Sequence, residues 1–90
     1  MMTQPLSDDA RAELIARLRR IEGQTQGIQR MLAEGRGCRD VLNQLASVRA
    51  ATHQASLELL RHYALACLND PEDRSERDIN DMLELLLNSR

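Results

Sequence analysis

Cys38 and Cys67 are the two cysteines of this 90-residue chain, 29 residues apart in a stretch without glycine or proline. In one helix, a rise of about 1.5 Å per residue separates them by roughly 43 Å, whereas a disulfide needs Cα atoms within about 7 Å. Twenty-nine residues at about 100° each also make about eight turns plus roughly 20°, so both thiols share one face. Two antiparallel copies would bring Cys38 of one chain to Cys67 of the other. The spacing predicts an intersubunit dithiol site.

The two thiols are expected to react differently. Cys38 begins the stretch, where free backbone N–H groups and the helix dipole favour a thiolate, and Arg36 and Arg39 flank it. Cys67 lies near the other end in apolar surroundings. We therefore predict that Cys38 is the nucleophile and that Cys67 is the resolving thiol.

Three helices are predicted to position these residues. Ser7 is a suitable N-cap, and glycines 35 and 37 interrupt the helical pattern. We predict a helix from Asp8 to Glu34 and a second from Cys38 to Leu68. Pro71 ends the second helix, and a short third helix follows from Ser75.

The apolar positions of the first two helices recur with helical spacing and predict an antiparallel hairpin. They are Leu14, Leu18, Ile21, Thr25, Ile28 and Leu32 in the first helix, and Val41, Leu45, Val48, Thr52, Ala55 and Leu59 in the second. The fold class is therefore all-α, with one domain over residues 1–90. The second helix measures about 46 Å, whereas a compact chain of this size has a radius of gyration near 12 Å. An even-numbered homo-oligomer is expected.

Charge is unevenly divided, although the net charge is only −2. Residues 10–61 contain nine arginines and five acidic residues, whereas residues 70–90 contain three arginines and seven acidic residues. Lysine is absent, which suits bidentate contacts to phosphate and guanine, although genomic base composition produces the same bias.

The composition excludes several classes of function. No segment resembles a membrane span or a secretion signal, so we expect a soluble, cytoplasmic protein without membrane contact. Cytosolic thiols stay reduced, which favours reactive or metal-binding cysteines over a structural disulfide. No catalytic constellation or cofactor motif is present, so neither an enzyme nor a cofactor is expected. His62 lies roughly 140° around the helix from Cys67 and is expected in solvent, and His53 is not expected to be catalytic.

Two segments, RLRRIEGQTQGIQRML over 17–32 and GCRDVLNQLASV over 37–48, contain a long motif. They resemble the pattern R-x-x-R-I-x-G-Q-x-x-G-I followed by C-x-D-V-L-x-Q-L in the copper-sensing operon repressor (CsoR-type) family. The resemblance covers nearly the whole chain. It implies a homotetramer, a dimer of dimers that forms a disc of helical bundles. It also implies repression of operator DNA until an inducer reaches a site between neighbouring subunits.

The resemblance also identifies where this chain departs from copper sensors. Those members place Cys, His and Cys at the positions of Cys38, Tyr63 and Cys67. The missing imidazole disfavours metal and aldehyde sensing. The persulfide- and polysulfide-sensing (CstR-like) branch keeps both cysteines without the histidine, and residues 69–90 resemble that branch too. Reactive sulfur species are therefore the implied inducer.

Two alternatives stay open at this point. One is a Cu(I)-responsive repressor or copper buffer that uses the thiolates of Cys38 and Cys67. The other is a helical bundle without a regulatory site. Tyr63 either neighbours the dithiol site or packs in the core.

The implied DNA contacts are Arg17, Arg20 and Gln24, which are spaced i, i+3 and i+7 and so share a helix face. Arg49 on the second helix is a weaker candidate. Phosphate contacts would supply affinity, and two-fold symmetry would favour a pseudo-palindromic operator.

Overall fold

The computed structural model describes residues 6–68 and 75–88, and every regular element within them is an α-helix. Helix α1 spans Asp8–Ala33, α2 spans Cys38–Leu68 and α3 spans Ser75–Asn88. The predicted all-α, three-helix protomer is confirmed, and α1 ends one residue earlier than expected. The predicted break at Pro71 lies outside the described residues. No helix of the described ranges is long and apolar enough to cross a membrane.

The start of α1 is fixed by a side chain that the sequence supplies. Ser7 has an extended backbone, and its Oγ accepts a hydrogen bond of 3.1 Å from the backbone N–H of Ala10. Asp8 and Asp9 place negative charge in the first turn, where the helix dipole favours it. The N-cap prediction is therefore confirmed.

The turn between α1 and α2 depends on Gly35, whose φ is +71°. Glycine adopts this left-handed conformation without a Cβ penalty. The Gly35 N–H donates to the Leu32 carbonyl at 3.1 Å, and the Arg36 N–H donates to the Met31 carbonyl at 2.9 Å. These two bonds form a Schellman motif. The turn reverses the chain and makes Cys38 the first residue of α2.

The helices form a thin, elongated layer. Helix α2 packs against both α1 and α3, and the protomer measures 55 × 28 × 17 Å. Its radius of gyration is 16.6 Å, whereas a compact chain of this length has one of about 12 Å. The shortest dimension is less than two helix diameters, since one helix with side chains is about 10–12 Å wide. Such a layer encloses little volume.

The core is correspondingly small. The buried apolar residues of the described chain are Leu6, Ala10, Ile28, Val41, Ala55 and Tyr63. None of the large side chains described is fully enclosed. The predicted apolar seams are wrong at five positions, because Leu18, Leu32, Leu45, Thr52 and Leu59 are exposed in the protomer. A single layer covers only one side of each helix, and the apolar stripes are wider than that side.

Candidate functional site

Cys38 and Cys67 lie at opposite ends of one unbroken helix. Cys38 is the first residue of α2 and has a free, exposed thiol, and Cys67 is the next-to-last residue. The side chain of Cys67 lies outside the described residues. The helix rise of about 1.5 Å per residue separates the two Cα atoms by roughly 43 Å. An intrachain disulfide is therefore impossible in this fold.

The two sides of α2 differ in burial. Val41, Val48 and Ala55 are buried or half-buried, and helix geometry puts them roughly 60–100° to one side of Cys38. The side on which Cys38 lies forms what we call the cysteine face. It comprises Cys38, Leu42, Leu45, Arg49, Ser56, Tyr63 and Cys67. Leu42 is 63% exposed and Leu45 is 46% exposed, so the N-terminal half of this face is uncovered in the protomer.

The two arginines that flank Cys38 in the sequence differ in their ion pairing. The Nη1 atom of Arg36 lies 3.9 Å from Oε1 of Glu34, and both side chains are about half exposed. Arg39 is exposed and takes part in none of the ion pairs found between described residues. Arg39 therefore has no carboxylate partner among the described residues.

Tyr63 lies one turn before Cys67 on the cysteine face, yet only 8% of it is exposed. Leu42 and Leu45, at the other end of the same face, stay exposed. Tyr63 is therefore covered within its own protomer. Tyr63 packs in the core of its protomer, and its place beside the dithiol site stays a prediction.

The histidines do not gather at the cysteines. His62, which was expected in solvent, is half-buried, and its Nε2 lies 4.0 Å from Oε2 of Glu58. The same carboxylate lies 3.5 Å from Nη2 of Arg61. His53 is exposed in the middle of α2. In the part of the chain that the structure describes, no three His, Cys, Asp or Glu residues form a metal-binding group.

The predicted DNA contacts lie on two different helices. Arg17 is half-buried, whereas Arg20 and Gln24 are exposed, and all three belong to one side of α1. Neither arginine joins an ion pair between described residues. Arg49 is exposed on α2, about 20° from Cys38 by helix geometry, so it belongs to the cysteine face.

Sequence reasoning missed a second cationic surface, which we call the arginine–glycine face. It lies on α1 and comprises Ala16, Arg19, Arg20, Gly23, Gly27 and Arg30. These residues span about 100° of the helix circumference. Arg19 and Arg30 are exposed, and neither takes part in an ion pair with another described residue. The sequence pattern that could have revealed this surface is the spacing R-R-x-x-G-x-x-x-G inside a predicted helix.

The sequence of this three-helix chain matches one protein family. Residues 10–88 match the family described as metal-sensitive transcriptional repressor. The chain belongs to this family. Its similarity to the copper-sensing transcriptional repressor CsoR of Bacillus subtilis is 36% identity over 88% of this chain and 80% of the relative. Similarity to the copper-sensing transcriptional repressor RicR of Mycobacterium tuberculosis is 44% identity over 58% of this chain and 54% of the relative.

Solved structures of this repressor family have the same fold. The copper-sensing repressor CsoR with Cu(I) from Geobacillus thermodenitrificans superposes with a TM-score of 0.78 at 30% identity, covering 98% of this chain and 95% of that one. The nickel-responsive transcriptional regulator InrS gives a TM-score of 0.66 at 31% identity, covering 96% and 90%. The family assignment made from the sequence motif is therefore confirmed.

The donors of this chain fit a Cu(I) ion only in part. Cu(I) is a soft cation that prefers thiolates, and Cys38 and Cys67 supply two. The next possible donor on the cysteine face is the buried phenol of Tyr63, which is a poor ligand for Cu(I). The two thiols of one chain are too far apart to share an ion, so a two-coordinate thiolate site would need Cys38 and Cys67 of different chains.

Proposed function

We propose that this chain is an operator-binding repressor that leaves DNA when reactive sulfur species cross-link Cys38 and Cys67 of neighbouring subunits. The observation that supports this best is the position of both cysteines on one side of an unbroken 31-residue helix, which is uncovered on that side in its N-terminal half. Distance forbids a bond within one chain, and the shared face allows two bonds between antiparallel chains.

The proposed pairing fixes the register of the two α2 helices. With Cys38 opposite Cys67 of the partner chain, the two-fold axis passes between residues 52 and 53. Leu42 then lies opposite Tyr63 of the partner chain, and Leu45 lies opposite Leu60. Burial of the exposed leucines at this seam would favour association, since each square ångström of apolar area contributes about 25 cal/mol. Exposed apolar side chains elsewhere, such as Ile15 and Leu57, support a second interface and hence a tetramer.

The sulfur chemistry needs only the two thiols and a polysulfide. The Cys38 thiolate attacks a sulfane sulfur, an S–S bond of the polysulfide breaks, and the shortened polysulfide leaves with the electron pair. The Cys67 thiolate of the neighbouring chain then attacks the Cys38 persulfide and expels hydrosulfide. The two cysteines lose two electrons, and the polysulfide gains them. The shortest product is an intersubunit disulfide.

The bridge would regulate DNA binding by fixing the distance between two α2 helices. An inducer acts only if it binds or stabilises one state more than the other. A covalent link at both ends of the α2 pair stabilises one state over the other, because it allows only those arrangements in which Cys38 of one chain lies next to Cys67 of the other. In the DNA-binding state, Arg17, Arg20 and Gln24 would contact a pseudo-palindromic operator. Arg49 lies on the cysteine face, which the proposed pairing of α2 helices covers, so we do not include it among the proposed DNA contacts.

Copper sensing is the second candidate function, because CsoR and RicR are described as copper-sensing and one related structure contains Cu(I). The same two thiolates would bind the ion. The donor set favours polysulfide sensing over copper sensing. Without an imidazole as third ligand, Cu(I) binding would depend little on the arrangement of the helix ends, and the ion would not favour one arrangement over another.

A fluorescence-anisotropy titration separates the two candidates. DNA selected by the protein from a random-sequence pool serves as the labelled operator. Polysulfide is expected to dissociate the complex, whereas stoichiometric Cu(I), supplied anaerobically in glutathione buffer, is expected to leave it intact. The reverse result would establish copper sensing. Failure to select any DNA would contradict the repressor function itself.

A further inference from the structure

Two glycines in the middle of α1 have no explanation within the protomer. Gly23 and Gly27 have ordinary helical φ values, and a Cβ atom added to either would meet no neighbouring atom within 4 Å. Alanine at these positions would favour the helix more strongly. Neither the backbone conformation nor the packing of the protomer therefore requires glycine here. Glycine does allow another molecule to approach the α1 backbone closely.

The charges around the glycines indicate which kind of molecule approaches. Arg19, Arg20 and Arg30 border them, and none is neutralised by an ion pair among the described residues. The arginine–glycine face contains no acidic residue between positions 16 and 30. These arginines, which form no ion pair among the described residues, surround Gly23, which is exposed, and Gly27, which is half-buried. Such a cationic surface complements an extended anion.

We propose that the arginine–glycine face lies directly against the phosphate backbone of the operator. Gly23 and Gly27 bring α1 close to the DNA, and the surrounding guanidinium groups contact phosphates on both sides. The inference rests on the proposed DNA-binding function. It adds Gly23, Gly27, Arg19 and Arg30 to the surface that performs it.

The length of the arginine–glycine face suits the backbone of a DNA duplex. Arg19 and Arg30 are about 16 Å apart along α1, and a duplex offers one negative charge per about 1.7 Å of its axis. The rival occupant is the acidic α3 of a second copy. The α3 sequence has carboxylates at positions 76, 78, 81 and 84, along about 12 Å of helix, so the assembly state of the variants decides between this occupant and DNA.

The test is the double variant Gly23→Ala/Gly27→Ala in the full chain, with Gln29→Ala on another side of α1 as the matched control. The glycine variant should unfold at a higher temperature, because alanine restricts the unfolded chain and favours the helix. Its Kd for the selected DNA should nevertheless rise about tenfold, the equivalent of one charge-assisted hydrogen bond. Gln29→Ala should bind DNA like the original chain.

Two further variants measure the arginines. Arg19→Ala and Arg30→Ala should each weaken binding and lower the salt slope of log K by about one phosphate contact. Light scattering after gel filtration should show the original assembly in every variant. A smaller assembly of the glycine variant would assign the face to subunit packing and overturn the DNA assignment.

The outcomes also separate this inference from the function on which it rests. If the original chain binds DNA and the glycine and arginine variants bind equally well, this face is not the DNA surface although the repressor function stands. If the original chain selects no DNA at any salt concentration, both proposals fail.

Discussion

Val41 and Leu42 are neighbours in α2, yet 7% of Val41 and 63% of Leu42 is exposed. One residue turns the helix by about 100°, which carries the side chain from the buried side of α2 to the cysteine face. The helix therefore has one apolar side for its own protomer and another that the protomer does not use. Such an uncovered apolar side indicates association with another molecule.

The first prediction uses this pair of residues. Leu42→Asp should reduce the assembly to smaller species, because a carboxylate on the cysteine face would lose its water if a second helix packed there. Val41→Ala is the matched variant and should lower the free energy of unfolding by about 2 kcal/mol without changing the assembly. Sedimentation equilibrium and circular dichroism measure the two effects. An unchanged assembly of Leu42→Asp would show that the cysteine face is not a subunit interface.

The second prediction concerns the thiols. Polysulfide should give covalent dimers on non-reducing gels, because α2 holds Cys38 and Cys67 of one chain too far apart to pair. Either Cys38→Ala or Cys67→Ala should prevent the bridge. Intact mass spectrometry should still find added sulfur on Cys67→Ala, since Cys38 is the proposed nucleophile. Monomers with an internal bridge would contradict the intersubunit geometry.

Local chemistry made the helix bounds predictable, but periodicity could not assign the neighbours of each apolar side chain. Ser7 and Gly35 form hydrogen bonds with residues only three positions away in the chain, so the helix ends that they fix can be predicted from the local sequence. Leu18 and Leu45 belong to stripes of correct helical period, yet they are exposed in the protomer. The period identifies an apolar stripe without stating whether its partner is the same chain or another one.

Side-chain burial was equally hard to predict from the sequence. His62 was expected in solvent because it points away from Cys67, but it is half-buried, with Glu58 one turn earlier. The open space around Gly23 and Gly27 also required coordinates, since helical glycines are more often explained by close packing. The identity of the inducer depends on an assembly of chains, so neither one sequence nor one protomer determines it.

The third prediction tests the DNA contacts on α1. Arg20→Ala should weaken operator binding and lower the salt slope by about one phosphate contact, and Arg17→Ala should do the same. Arg11→Ala is the control, because Arg11 pairs with Asp8 at 3.3 Å near the start of the helix. Anisotropy titrations at several salt concentrations give the slopes. If all three variants show the original slope, the DNA contacts lie on another surface.

The fourth prediction tests the turn that positions Cys38. Gly35→Ala should lower the free energy of unfolding by about 1 kcal/mol, because its φ of +71° is costly for a residue with a Cβ atom. Urea denaturation measures the loss. Gly37→Ala is a useful comparison, since Gly37 has no positive φ and no atom within 4 Å of an added Cβ. Equal stability of the Gly35→Ala variant would mean that the turn relaxes without the left-handed residue.

The last prediction concerns the residue that distinguishes this chain from a three-ligand copper site. Tyr63 lies one turn before Cys67, and an imidazole there would add a nitrogen donor to the two thiolates. Tyr63→His should therefore bind Cu(I) more tightly than the original chain in competition with a chromophoric chelator.

It should also gain some release of DNA by copper, because a third ligand links the ion to a particular arrangement of the helix ends. Tyr63→Phe controls for the loss of the hydroxyl group and should bind copper like the original chain. Because Tyr63 is buried, circular dichroism must show that each variant keeps its helices. If the original chain instead left DNA with anaerobic Cu(I) and failed to respond to polysulfide, that result would show that two thiolates are enough for copper sensing.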